Sequence, residues 1–527
     1  MNDFPAQRQL IAALLDPDRS PLGAGKARLI ETHISWVLLA GRHAYKIKKA
    51  VNLAFLDFTS LESRRFYCAE EVRINRRMAP QLYLDVIPIG GSHAKPVLGA
   101  QPAIEYAVKM HRFASANLLD RLLAKGKVTP RHMDDLAATL ARFHRGLPPA
   151  AADCPYGAPA SIRLAAMQNF EQMQTLLTAR EDLDALLAAR RLAEAEYAQL
   201  EQDFAARRTH GFVRECHGDL HLGNVALISG EPTPFDSIEF SAELRWCDVM
   251  SEAAFPVMDL LRYQQPALAF RLLNAYLEAG GDYAGISTLR FYLSYRAMVR
   301  AKICAIRASQ TGLALRRQRE ELAACRGYLA LAQHCLARRR PALIITHGLP
   351  GSGKTTFAQI ALERFGAIRI RSDVERKRLF GLAPLEKSTA NADIYSKDAT
   401  WRTYARLEQL ARGIVAAGFP VIVDAAFLKH SERDRFRTIA QDLNVPFAIA
   451  AIRAPDAVMR ARVAQRRAGA ADASEADENV LKRLQGAEET LRHDEITRSA
   501  EFVNDGANGG LDAQQGWAKL EAMLGGH

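Results

Sequence analysis

The stretch that most narrows what this chain can fold into is Gly348 to Thr355, G-L-P-G-S-G-K-T. It follows the apolar run ALIIT and precedes the helical pattern TTFAQIAL, so a buried strand, a glycine-rich turn and a helix are predicted in that order. Such a turn aims backbone N–H groups at phosphate oxygens, Lys354 adds a point charge, and the Thr355 hydroxyl suits Mg²⁺. The expected nucleotide-binding residues are therefore Gly348, Leu349, Pro350, Gly351, Ser352, Gly353, Lys354, Thr355 and Thr356. Three further apolar runs, AIRIRSD, PVIVDAAF and FAIAAIRA, alternate with helical stretches, the pattern of a parallel α/β sheet. Asp424, in the second of these runs, is expected to ligate the metal. It is followed by Ala425 and Ala426 rather than by a hydrolytic Glu, which disfavours hydrolysis as the main task.

A chain of 527 residues is too long for one core. The basic, proline-terminated stretch LARRRPA sets the expected boundary near Arg338 to Pro341, giving domains 1–338 and 339–527. Of the net charge of +11, the chain from Pro341 onward carries +2 and the first 340 residues +9. That excess is spread over many helices without interleaved aromatics, which suits an anionic ligand such as a nucleotide better than nucleic acid. The seven cysteines are scattered, with no C-x-x-C pair, so a reduced cytoplasmic chain is expected, with neither a disulfide framework nor a zinc site. No apolar stretch of membrane-spanning length or secretory leader is evident, so no membrane partner is expected.

Before residue 117 the chain reads as a small sheet with one helix against it: two strands joined at Gly41 and Arg42, a helix near Glu62 to Met78, then the strands LYLDVIPI and AIEYAVKMHRF. Beyond it the pattern turns helical and Ala/Leu-rich, so two lobes are implied, one mostly β and one mostly α. Within the helical part lies CHGDLHLGNVAL, followed by PFDSIEF. Phosphoryl transfer asks for a carboxylate beside the attacking hydroxyl, ligands for Mg²⁺ and a cation on the phosphates. Asp219 suits the first role; Asn224 and Asp236 suit the second.

These residues resemble the aminoglycoside phosphotransferase branch of the protein-kinase-like fold. The resemblance implies Asp219 as catalytic base and Asn224 and Asp236 as Mg²⁺ ligands. It also implies a phosphate-binding lysine on the third strand, Lys46 with Lys48 as runner-up, and a glutamate partner on the next helix, Glu71 or Glu70. Asp248 resembles the family's downstream Asp that holds the catalytic loop. No G-x-G-x-x-G covers the phosphates. His217 is expected to orient the loop rather than to transfer protons.

The carboxy-terminal part, with Asp373 and Arg376 in IRSDVERKRL after the glycine loop, resembles P-loop kinases of the polynucleotide kinase and zeta-toxin group. That resemblance implies Asp373 as base, Arg376 as acceptor ligand, and a lid carrying Arg462 and Arg466. The combined expectation is an α+β, two-lobed kinase-like domain fused to a parallel α/β P-loop kinase domain. Such a chain would use ATP or another nucleoside triphosphate with Mg²⁺ to phosphorylate hydroxyl groups of small molecules. A nucleotide-gated regulatory protein and a nucleic-acid 5′-end kinase are the alternative readings.

Overall fold

The computed structural model describes the chain apart from residues 1–3, 17–19, 23–26, 54–55, 311, 338–340, 388–393, 469–472, 506–510, 512–513 and 526–527, and without the side chains of 466–468. The expected boundary at Arg338 to Pro341 thus falls mostly outside the described residues. By packing, the chain forms two compact units, residues 1–165 with 204–259, and residues 166–203 with 260–527.

The first unit is built on a six-stranded antiparallel sheet. Its order is Arg28–Glu31, Ser35–Ala40, His43–Lys48, Glu105–His111, Tyr83–Ser92 and Lys95–Leu98. Alternation along His43–Lys48 sends successive side chains to opposite faces. Tyr45 and Ile47 pack with Trp36, Leu38 and Ala107 beneath Leu10, Ile11 and Leu14 of the helix Phe4–Leu15. Ala44, and with it Lys46 and Lys48, faces the other way, where Cys68 and Val72 of the helix Leu61–Asn75 pack on Val108. Ser60 caps that helix by accepting from the Ser63 amide. Two helices therefore sandwich the sheet where one was expected. The run around Leu10, Ile11 and Leu14 is short, and only the opposing sheet face gives it a partner.

The second unit contains a five-stranded parallel sheet in the order Ile368–Arg371, Val421–Asp424, Leu343–His347, Phe447–Arg453 and Ser499–Val503. The central strands Leu343–His347 and Val421–Asp424 are buried on both faces and correspondingly read as nearly unbroken apolar runs. The edge strand Ile368–Arg371 is covered by the helix Pro266–Gly280. Asn274 accepts from the Arg369 amide at 2.6 Å and donates to the Ala367 carbonyl at 2.9 Å, imitating a neighbouring strand. Phe270 of the same helix lies against Gly366.

Candidate functional site

Two groups of the expected residues are brought together, one in each unit. In the first, Lys46 Nζ lies 2.8 Å from Glu71 Oε1 and 2.6 Å from Asp236 Oδ1. Glu71, fully buried, is the helix partner of the two candidates; Glu70 points outward to Arg73 at 2.8 Å. Lys48, also fully buried, meets the other oxygen of Glu71 at 2.8 Å and forms an ion pair with Glu239. Burial pushes the Lys46 ammonium down, but Asp236 and Glu71 outweigh it and hold it charged. The segment Phe235–Glu239 is thus tied to the sheet at two points. Asn75 adds a third, its Oδ1 accepting from the Ser237 amide at 2.8 Å. Asp236 itself sits at φ +62°, a strained conformation for a non-glycine residue of the kind that concentrates at functional positions.

The loop carrying Asp219 is held from below. His217 is buried; its Nδ1 accepts from the Asp219 amide and its Nε2 donates to the Phe235 carbonyl at 2.8 Å, which joins the loop to the Asp236 segment. Glu252 accepts the amides of His217 and Gly218 at 2.9 and 2.8 Å, and Asp259 accepts that of Leu222 at 2.9 Å. Burial alone would raise the Glu252 carboxyl, but the hydrogen bond from His144 and the His217 amide outweigh it and hold it at about 2. Asp248, expected to hold this loop, instead clamps Arg207 through both oxygens at 2.6 and 2.7 Å and caps the Met250 amide. Its place in the sequence is close to that of Glu252, but it starts the next helix rather than facing the loop from within it.

Does this unit suit a divalent cation? The cluster of Lys46, Lys48, Glu71, Asp236 and Glu239 contains one more carboxylate than ammonium groups, an imbalance that favours added positive charge. Asn224 donates its amide nitrogen to the Asp219 carbonyl at 2.9 Å, leaving Oδ1 as the available ligand atom, and its own carbonyl accepts from the Phe235 amide. Asn224, Asp236 and the half-exposed Asp219 fit such an ion. His144, Cys216 and Glu252 also cluster within metal-ligand distance of one another. Their carboxylate is already satisfied by His144 and the loop amides, so this cluster reads as a hydrogen-bonded brace.

In the second unit the glycine loop adopts the geometry its sequence demands. Gly348 and Gly351 have φ of +148° and +83°, and a Cβ there would stand 2.3 Å from the Ile452 carbonyl and 2.7 Å from that of Met459. Only glycine fits between those backbones. Lys354 Nζ donates to the Leu349 carbonyl at 2.9 Å, and Ser352 Oγ and Asp424 Oδ2 are buried with no hydrogen-bond partner among the described residues. A cradle of amides, a lysine and two orphaned oxygens fits a metal-bound nucleotide.

Pro350, Gly351, Gly353, Lys354, Thr355, Asp373, Arg376 and Asp424 all line one cleft of about 210 Å³, together with Arg371. Thr356 is exposed at the helix start. Arg376 is no surface residue: it is only 7% exposed, donates to the Ile394 carbonyl at 3.0 Å and lies over the Tyr395 ring. Arg462 is directed at the glycine loop, donating to the Gly351 carbonyl at 3.2 Å and to Asn504 Oδ1 at 2.9 Å. Asn504 in turn donates to the Ser352 carbonyl. The Arg466 side chain lies outside the described residues.

Residues 343–491 match the family described as AAA domain. Over 449 residues, 84% of this chain and 87% of the relative, the sequence is 30% identical to uncharacterized protein Rv2004c of Mycobacterium tuberculosis and equally to Mb2027c of Mycobacterium bovis. Among solved structures, a gluconokinase from Sinorhizobium meliloti is 22% identical, covering 36% of this chain and 95% of its own, with a TM-score of 0.26. A choline/ethanolamine kinase family protein from Mesorhizobium loti is 12% identical, covering 63% and 98%, with a TM-score of 0.38. The glycine loop, the parallel sheet and the domain match define the class of the second unit, a P-loop fold. The chain belongs to the family of the two mycobacterial proteins. Among the described residues no helix is long and apolar enough to cross a membrane.

Proposed function

We propose that the chain is an ATP-dependent phosphotransferase with two kinase-type sites, in domains 1–338 and 339–527, each acting on a hydroxyl group of a small molecule. The observation that carries this reading is the double engagement of Lys46 by Glu71 and Asp236, because it assembles a phosphate-facing cation and a metal carboxylate from residues 190 positions apart. Bound Mg-ATP supplies the transferable phosphoryl group and neutralises its charge. In the first site Asp219 accepts the proton of the attacking hydroxyl, Asn224 and Asp236 hold the metal, and Lys46, kept in place by Glu71, faces the phosphates. In the second site the loop from Gly348 to Thr356 cradles the phosphates, Thr355 and Asp424 serve the metal, Asp373 takes the acceptor proton and Arg376 holds the acceptor. Arg462 steadies the cradle through Gly351 and Asn504, and Arg466 belongs to the lid.

The test is a pair of variants assayed against a metabolite library with ATP. Asp219→Asn should cut turnover at the first site by two or more orders of magnitude, about 3 kcal/mol or more, with nucleotide affinity kept. Lys354→Ala should leave that activity and remove nucleotide binding from the second site. Full turnover in Asp219→Asn made in a Lys354→Ala background would refute the assignment of the first site.

A further inference from the structure

The P-loop cleft contains an arginine that the nucleotide-binding motif does not account for. Arg371 ends the edge strand Ile368–Arg371, and its guanidinium lies between two carboxylates. Its Nη1 donates to Glu278 Oε1 at 2.8 Å, and its Nε stands 3.8 Å from Asp424 Oδ2. The second separation is within ion-pair range but beyond a hydrogen bond, and Asp424 Oδ2 accepts no hydrogen bond among the described residues. Glu278 belongs to the helix Pro266–Gly280, far from the motif in sequence. That helix is fastened to the sheet edge by Asn274 and Phe270, and Arg378 donates to the Glu278 carbonyl at 2.6 Å. Glu278 also takes Arg369 at 2.9 Å.

We propose that Glu278 is a positioning residue of the P-loop site: by holding Arg371 back from contact with Asp424, it keeps that carboxylate open to a divalent cation. This rests on the P-loop half of the proposed function. A guanidinium and a divalent cation compete for the same carboxylate oxygen, and a charge-assisted contact closes at about 2.8 Å. Arg371 stands roughly an ångström short of that contact, with its Nη1 engaged by Glu278. Burial works to raise the Glu278 carboxyl, but Arg369 and Arg371 outweigh it, so the restraint is a charged one at neutral pH. Asp424 Oδ2 is already within ion-pair range of the Arg371 Nε.

The experiment uses the full chain in a Lys46→Met background, which silences nucleotide binding at the first site, and titrates MgCl₂ against a fluorescent ADP analogue at fixed concentration. Glu278→Gln should raise the Mg²⁺ concentration for half-maximal binding at least fivefold. Glu278→Gln with Arg371→Gln should restore it to within twofold of the parent, since the competing charge is gone. Unchanged Mg²⁺ dependence in Glu278→Gln overturns the proposal, as does a shift that persists undiminished in the double variant, which would mean general damage to the sheet edge. A parent chain that binds the analogue with no Mg²⁺ dependence refutes the P-loop reading itself, and this proposal with it.

Discussion

The two phosphate-handling regions solve one problem by opposite means. The carboxy-terminal one uses contiguous backbone, eight residues whose conformation is dictated by glycines, so its binding geometry is local. The amino-terminal one uses side chains from a strand, a helix and two loops, held in register by buried ion pairs that span most of the unit. A local cradle is damaged by a single Cβ yet leaves the surrounding sheet standing. A side-chain constellation depends on tertiary structure, so losing one member endangers the fold as well as the site.

That contrast is most exposed at Lys48. Lys48→Met leaves Glu71 and Glu239 buried without their shared cation, and the expected cost is about 3–5 kcal/mol, seen as a large drop in the melting temperature of the first unit. A silent substitution would mean the constellation is not held by charge. Gly351→Ala should do the reverse. Its Cβ would meet the Met459 carbonyl in a left-handed conformation, strain of about 1–3 kcal/mol, so nucleotide affinity at the second site should fall roughly 10- to 100-fold while melting changes little. Equal losses of affinity and stability would erase the distinction between the two regions.

A further effect is one of pH. Glu252 is held at about 2, below its ordinary value of 4.5, so it stabilises the fold fully above that ordinary value and loses the contribution as pH falls from 4.5 toward 2. The difference in stability between the natural chain and Glu252→Gln should be constant above pH 5, up to roughly 3 kcal/mol, and shrink below it. A difference that stays flat down to pH 3 would show that Glu252 supports the loop through shape alone.

The same contrast explains what could be read from the sequence. The glycine loop and four of the five parallel strands were legible because the loop residues are adjacent in the chain and those strands lie in largely apolar runs; Ser499–Val503, which alternates buried and exposed toward its end, was not. Asp219, Asn224 and Asp236 were legible through spacing. The choice between Glu70 and Glu71 was not, because it depends on which side of the helix faces the sheet, and Glu71 lies on the same buried side as Cys68 and Val72. Glu252 and Asp259 were missed although they are the two carboxylates in the otherwise largely apolar helix Val249–Arg262, where a buried acid is a signal in itself. Lys48 was legible only as a runner-up to Lys46, and Glu239 and Glu278 gave no local cue: each is one charge among many until the fold supplies its partner.

The cap that Asn274 places on the outermost strand of the parallel sheet bears on how the P-loop half can be handled in the laboratory. Cutting the chain at Pro341 would remove the helix Pro266–Gly280 and bare the amide of Arg369 and the carbonyl of Ala367 along a four-residue, mostly buried strand. A naked edge of that kind recruits further strands, so such a fragment should self-associate, whereas one beginning before Pro266 retains its own plug against aggregation.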